Sequence, residues 1–195
     1  MSPDNPINLT NQFLIAMPGM VDDNFARTVV YLCDHNQEGA LGLVINKPID
    51  ITVRGLFEKV DLSLDREELA SQPVFFGGPV QTERGFVLHE KTGGEQGSPY
   101  LSTMPIEGGE LEMTTSKDVL EALSSGAGPR KVLITLGCSG WGAGQLESEI
   151  GRNGWLTVHA DPAIIFDTPV EQRYDRALSL LGFDPLMLSQ EAGHA

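Results

Sequence analysis

The chain has 195 residues, 41% of them hydrophobic, and its 13 Lys+Arg against 27 Asp+Glu leave a formal net charge of -14. That length suits one well-buried core and is short for two, so a single domain over 1–195 is expected, with a core at 9–182 and outlying termini at 1–8 and 183–195. The acidic balance repels phosphate backbones and anionic lipid, which disfavours direct nucleic-acid binding and a membrane partner.

In chain order, Phe13-Leu14-Ile15-Ala16 predicts a short strand stopped by Pro18-Gly19. Residues 28–33 and 40–45 read as two strands joined by the polar DHNQEG; both are too apolar to face water and so should be central, with Asn46-Lys47-Pro48 ending the second. Thr52 can cap a helix whose Val53, Leu56, Phe57 and Val60 form one apolar stripe. A short helix or loop at 62–70 leads to a strand at Pro73-Val74-Phe75-Phe76 that leaves through Gly77-Gly78, and then to a strand over 84–90. Residues 91–109, mostly Gly, Ser, Thr, Pro and Glu, predict the longest loop. An edge strand is expected at 110–114, Leu111 and Met113 facing inward and Glu110 and Glu112 facing water. Ser116 opens a helix with Val119, Leu120 and Leu123 inside.

The segment KVLITLGCSGWGAGQLESE at 131–149 is the organising stretch. Its uncharged 132–136 suits a strand covered on both faces, and Gly137, Gly140, Gly142 and Gly144 predict a glycine turn into a helix from Gln145. Such a turn either meets a ligand closely or makes a tight connection in a packed core. A strand at 155–158 follows, then helix starts at Asp161-Pro162 and at Thr168-Pro169-Val170-Glu171, a capping box. Tyr174, Ala177, Leu178 and Leu181 make the last buried stripe, closed by Gly182.

Candidate chemistry is thin. Gly137-Cys138-Ser139-Gly140-Trp141 resembles a nucleophile elbow but has tryptophan where the motif needs glycine. Cys138 at a helix start is a conceivable nucleophile, but a small buried hydrophobe is the commoner role of an unpaired cysteine. Neither standard nucleotide loop is present. Asp34-His35 with Glu38, or His159 with Asp161, are metal-ligand types at loose spacing, explained as well by a solvated loop or a helix cap. No metal or cofactor is therefore expected. Only Cys33 and Cys138 are present, and the opening MSPDNPINLTNQ has no basic region and no long apolar run. Free thiols, a cytoplasmic location and no membrane span are expected.

Several blocks in order carry a resemblance: NQFLIAMP at 11–18, VYLCDHN at 30–36, GALGLVINKP at 39–48, FGGPV at 76–80, GWGAGQLE at 140–147 and Trp155-Leu156. Together they resemble the AlgH/YqgE family, over roughly residues 9–182. The resemblance implies a single α/β or α+β domain, with a complex mixed β-sheet, partly barrel-like, flanked by helices. It implies no established activity, and the family's transcriptional-regulator label rests on no recognised DNA-binding element. Relatives commonly differ at Cys138-Ser139, so neither group reads as a family requirement. What the resemblance singles out is Asn46, Lys47, Gly77, Gly78, Pro79, Trp141, Gln145, Leu146 and Glu147. Binding is expected at Asn46, Lys47, Gly77, Gly78, Trp141, Gln145 and Glu147 if those ends converge; otherwise they fasten loops to the sheet.

Three functional readings follow. The favoured one is a non-catalytic cytoplasmic protein that binds a protein partner or small ligand in a regulatory role. The second is a DNA-binding regulator using Arg27, Lys47, Arg54 and Lys59. The third is a hydrolase or transferase working from the glycine turn.

Overall fold

A computed structural model describes residues 7–19 and 25–182 of the chain; of the outlying segments expected at 1–8 and 183–195, residues 1–6 and 183–195 lie outside them. The apolar runs become strands. β1 (Gln12–Ala16), β2 (Val29–Asn36) and β3 (Gly39–Val44) follow one another, and β4 (Pro48–Thr52) leads into α1 (Val53–Lys59) and α2 (Glu67–Ala70). Then come β5 (Pro73–Phe76), β6 (Val80–Glu90), β7 (Thr103–Pro105), β8 (Leu111–Thr114) and α3 (Asp118–Ser124). The chain continues through β9 (Val132–Gly142), α4 (Gln145–Gly151), β10 (Trp155–His159), α5 (Pro162–Phe166) and α6 (Arg173–Ser179). The result is one α+β domain, a curled half-barrel sheet flanked by these helices.

The sheet runs β10-β1-β2-β3-β9-β6-β8-β7, with β4 and β5 joined beside β9. Nearly every pairing is antiparallel; β5 with β9 is parallel. Strands near the middle bury both faces, so their side chains alternate between two cores. Phe13, Ile15, Tyr31, Leu43 and Leu133 pack under α5 and α6, whereas Leu14, Val30, Leu32 and Val44 pack with Leu146 of α4. Val132 and Ile134 meet the helices α1, α2 and α3 through Phe57, Leu69 and Leu123.

β9 is the shared strand. One of its edges pairs with β6 from Gly85 opposite Leu136 to His89 opposite Val132. The other pairs with β5 at Thr135 and Leu136, then with β3 from Ser139 to Gly142. The change of neighbour falls at Gly137, whose φ of 81° is open to glycine at little cost. Gly77 fills the fork. Its N–H donates to the Leu136 carbonyl at 3.0 Å, and its own carbonyl accepts the Val44 N–H at 2.9 Å and the Ser139 hydroxyl at 3.0 Å.

Several local expectations give way to this pairing. The glycines of 137–142 form no turn: they are strand, Gly140 and Gly142 paired with β3, and only Ala143 and Gly144 reverse the chain into α4. The connection between β2 and β3 shrinks from six residues to Gln37 and Glu38, with a register shift between Leu32 and Asp34. Pro48 opens β4, a strand not anticipated. The long loop holds β7, which pairs with β8. β8 is therefore interior, and Glu112 is buried at 6% exposure, where alternation had placed it in water. The capping box at Thr168 does not form. Thr168 Oγ1 donates back to the Ala163 carbonyl at 3.1 Å, and a 3-10 turn at Val170–Gln172 precedes α6. The caps at Thr52 and Asp161 form as expected, accepting the N–H groups of Gly55 and Ala163.

Candidate functional site

At the exit of β9 the polar side chains satisfy one another. The indole N–H groups of Trp141 and Trp155 donate to the same oxygen of Glu149, at 3.2 and 3.1 Å. Gln145 accepts the Gly142 N–H at 2.9 Å and donates to the other Glu149 oxygen at 2.9 Å. The two indole rings meet edge to face at 6.2 Å, with Phe25 against both. Beside them, His35 Nδ1 accepts the Leu9 N–H at 3.0 Å, so in the neutral ring Nε2 carries the proton and donates to Glu147 at 2.7 Å. Buried indoles need an acceptor, and one carboxylate serves both.

Asn46 lies elsewhere. Its amide accepts the Val29 N–H at 3.0 Å and donates to the Arg27 carbonyl at 3.0 Å, standing in for a strand partner beyond the end of β3. Lys47 accepts the Phe76 N–H on its carbonyl at 2.7 Å, which ties it to Gly77 and Gly78. Trp141 pairs with Ala40 near the start of β3, so it stands about six residues, on the order of 20 Å, from Asn46 along that strand. The structure thus gathers Asn46, Lys47, Gly77 and Gly78 at one end of β3 and Trp141, Gln145 and Glu147 at the other.

The reactive side chains of the interior are buried or hydrogen-bonded. Both cysteines are free and buried; burial pushes the Cys138 thiol up, only partly opposed by Arg84, and burial pushes Cys33 up further, with Cys138 and Asp34 adding to it. Ser139 is fully buried and spends its hydroxyl on Gly77. His89 donates from Nδ1 to the Glu90 carbonyl at 2.7 Å, so its Nε2 accepts the Thr114 hydroxyl at 2.7 Å. Asp161 caps α5. Among the described residues no three His, Cys, Asp or Glu side chains gather for a metal. Of the four cations weighed for DNA, Arg27 stacks on Tyr174 of α6 and Arg54 pairs with Glu67, on helices packed against opposite sheet faces.

An open cleft of about 480 Å³ lies where the ends of β6 and β8 meet α5. Leu111, Pro162, Ala163 and Phe166 give it an apolar floor, and Glu90, Lys91, Glu110, Lys131 and Asp167 ring it. Lys131 pairs with Asp167 at 2.7 Å, both about half exposed, a weak surface pair whose members remain able to meet a ligand. Glu90 is held in place by the Arg130 N–H at 3.0 Å. Sequence reasoning missed this cleft, because its residues come from four separate segments. The one local signal was Asp161-Pro162, which starts α5.

The chain belongs to the AlgH-like family (DUF179), which it matches over residues 13–186. A UPF0301 protein of Acidovorax is 69% identical over 194 residues, covering 97% of each chain. Among solved structures, the AlgH protein of Pseudomonas aeruginosa is 48% identical, with a TM-score of 0.76 and full coverage of both chains. A Corynebacterium diphtheriae protein at 19% identity shares the fold, with a TM-score of 0.70 over 97% of this chain and 93% of its own.

Proposed function

We propose that the protein works in the cytoplasm as a regulatory binding protein, holding a small ligand in the cleft beside α5 and changing no bond in it. The cleft carries this reading. Its volume of about 480 Å³ falls within the roughly 300–1,000 Å³ of small-molecule sites, and its apolar floor with convergent charges is their usual make-up. The ligand it suits has an apolar or aromatic body for Phe166 and Leu111 and a charged end for Lys91 and Lys131. The glycine segment fits a framework role, Gly140 and Gly142 lying opposite β3 and the Gly142 N–H donating to Gln145. In the same reading Asn46, Lys47, Gly77, Gly78, Trp141, Gln145 and Glu147 shape that framework.

The test is a titration of ¹⁵N-labelled protein with a panel of aromatic and aliphatic carboxylates, phosphates and amines. Shifts should gather at Leu111, Ala163, Phe166 and Lys131, and Phe166→Ala with Lys131→Ala should abolish them. Shifts that survive both changes, or that gather at another surface, refute the cleft as the seat.

A further inference from the structure

Arg173 opens α6 with 6% of its surface exposed, and no carboxylate answers it. Nε donates to the Thr168 carbonyl at 2.9 Å and Nη1 to the Ile45 carbonyl at 2.5 Å, while the guanidinium carbon stands over the Phe75 ring, 5.0 Å from its centre. A guanidinium has more N–H groups than these two bonds use. None of the ion pairs among the described residues includes Arg173. Glu171 acts on it from an exposed position without pairing, and Asp167 is turned to Lys131. Burial pushes the group down to about 10, with Glu171 opposing in part, so it stays charged at neutral pH. Neutral carbonyls offset only part of the cost of taking a full charge out of water.

Among the described residues every fully buried side-chain nitrogen has a partner. Nη2 of Arg173 has none, so it is not sealed in: Arg173 lines a depression of about 160 Å³ bounded by β5, β9 and the end of α5. Phe75, Leu133, Ile165, Phe166 and Pro169 give it apolar walls, Gln72 stands exposed at its edge, and no acidic side chain lines it. In a chain of formal net charge -14, this is a buried positive charge facing a dry recess.

We propose that this recess binds a small monovalent oxyanion, of the size and charge of formate, nitrate or bicarbonate, on the unused N–H groups of Arg173. A guanidinium presents its N–H groups in one plane, which matches the oxygens of a planar anion. One positive charge calls for one negative charge. The volume is below the roughly 300 Å³ at which drug-sized ligand sites begin, against about 480 Å³ for the cleft beside α5, so ligands with an aromatic or long aliphatic body are turned away. Bound there, the anion ties the connection between α5 and α6 to the sheet. The site is separate from that cleft, although Phe166 walls both.

Sodium formate and sodium nitrate, titrated into the ¹⁵N-labelled full chain at an ionic strength held constant with sodium fluoride, test this. Saturable shifts should gather at Phe75, Thr168, Val170 and the Arg173 Nε–H, while Leu111, Ala163 and Lys131 stay still. Arg173→Gln should weaken binding on the order of tenfold or more. Because Arg173 also braces two carbonyls, circular dichroism checks that this variant folds, and the exposed Gln72 supplies a second pair that leaves the interior alone. Gln72→Glu should weaken binding and Gln72→Lys tighten it, by roughly two- to fivefold each. Shifts that never saturate, that persist in a folded Arg173→Gln, or that ignore both changes at Gln72 overturn the proposal. An anion that moves Leu111 and Lys131 instead also overturns it, and leaves the cleft beside α5 standing.

Discussion

Gly77 lies so close to Gly137 that a Cβ on the former would sit 2.2 Å from the carbonyl oxygen of the latter. This contact closes the fork between β3 and β5, and the nearest obstacle is backbone, which cannot swing aside as a side chain does; the next is the buried Thr135 side chain, at 2.6 Å. Gly77→Ala should therefore destabilise the fold by about 1–3 kcal/mol or more, the cost of overpacking a filled interior. Gly85→Ala, built into open space, should be neutral or stabilising by a few tenths of a kcal/mol, roughly 0.4 or more. Urea denaturation of both variants decides it; equal midpoints would remove the fork from the account of the fold.

Glu149 accepts two indole N–H groups and the Gln145 amide. Glu149→Ala leaves two nearly buried donors unpaired, and each such loss costs about 1–3 kcal/mol. Stability should fall by at least one such amount, and both indole N–H resonances should shift together. Indole signals that stay put would mean that the acceptor is another group.

Burial lowers the affinity of His89 for a proton below the ordinary value of 6.5, against smaller opposing effects of the Glu90 carbonyl, Glu112 and Glu90. The folded state then binds fewer protons than the unfolded one once the pH drops below about 6.5. The neutral ring's contribution is present above that value and is lost as the pH falls through the lowered one. Wild-type stability should decline between pH 7 and 5 more steeply than that of His89→Gln. Parallel pH profiles would clear His89 of the effect.

Burial also raises the thiols of Cys33 and Cys138. Low thiolate content and no access predict silence toward a disulfide reagent in the native state. In denaturant both should react. Rapid native labelling of Cys138 would revive it as a nucleophile.

Much of the strand pattern was legible from residue order. Val132 to Leu136 reads as a strand buried on both faces and is one. Thr52 and Asp161 announce helix starts that the chain uses, because capping is a contact between residues two or three apart. What local reading missed has a common origin. Gly137, Gly140 and Gly142 look like a turn until β3 is laid alongside them, since glycine permits turns and also permits a strand to kink and change neighbours. Glu112 alternates like a solvent-facing residue, and only the addition of β7 outside β8 buries it.

The candidate site divides the same way. Trp141, Gln145 and Glu147 were visible as a motif, but their partners, Glu149, Trp155 and His35, come into view through folding. The cleft beside α5 was invisible, because Lys91, Lys131 and Phe166 are far apart in the chain.

By itself, the order of residues determined most of the strands and helices, with β4, β7 and the far end of β9 the exceptions, together with the apolar faces and the acidic charge that sets the chain's long-range behaviour; these follow from periodicity, capping and composition, all short-range or summed properties. The tertiary structure alone decided which strands are neighbours, where the fork at Gly77 lies, and which charges meet around one cleft. Those depend on contacts between residues distant in sequence, whose energies exist only once the chain has closed on itself.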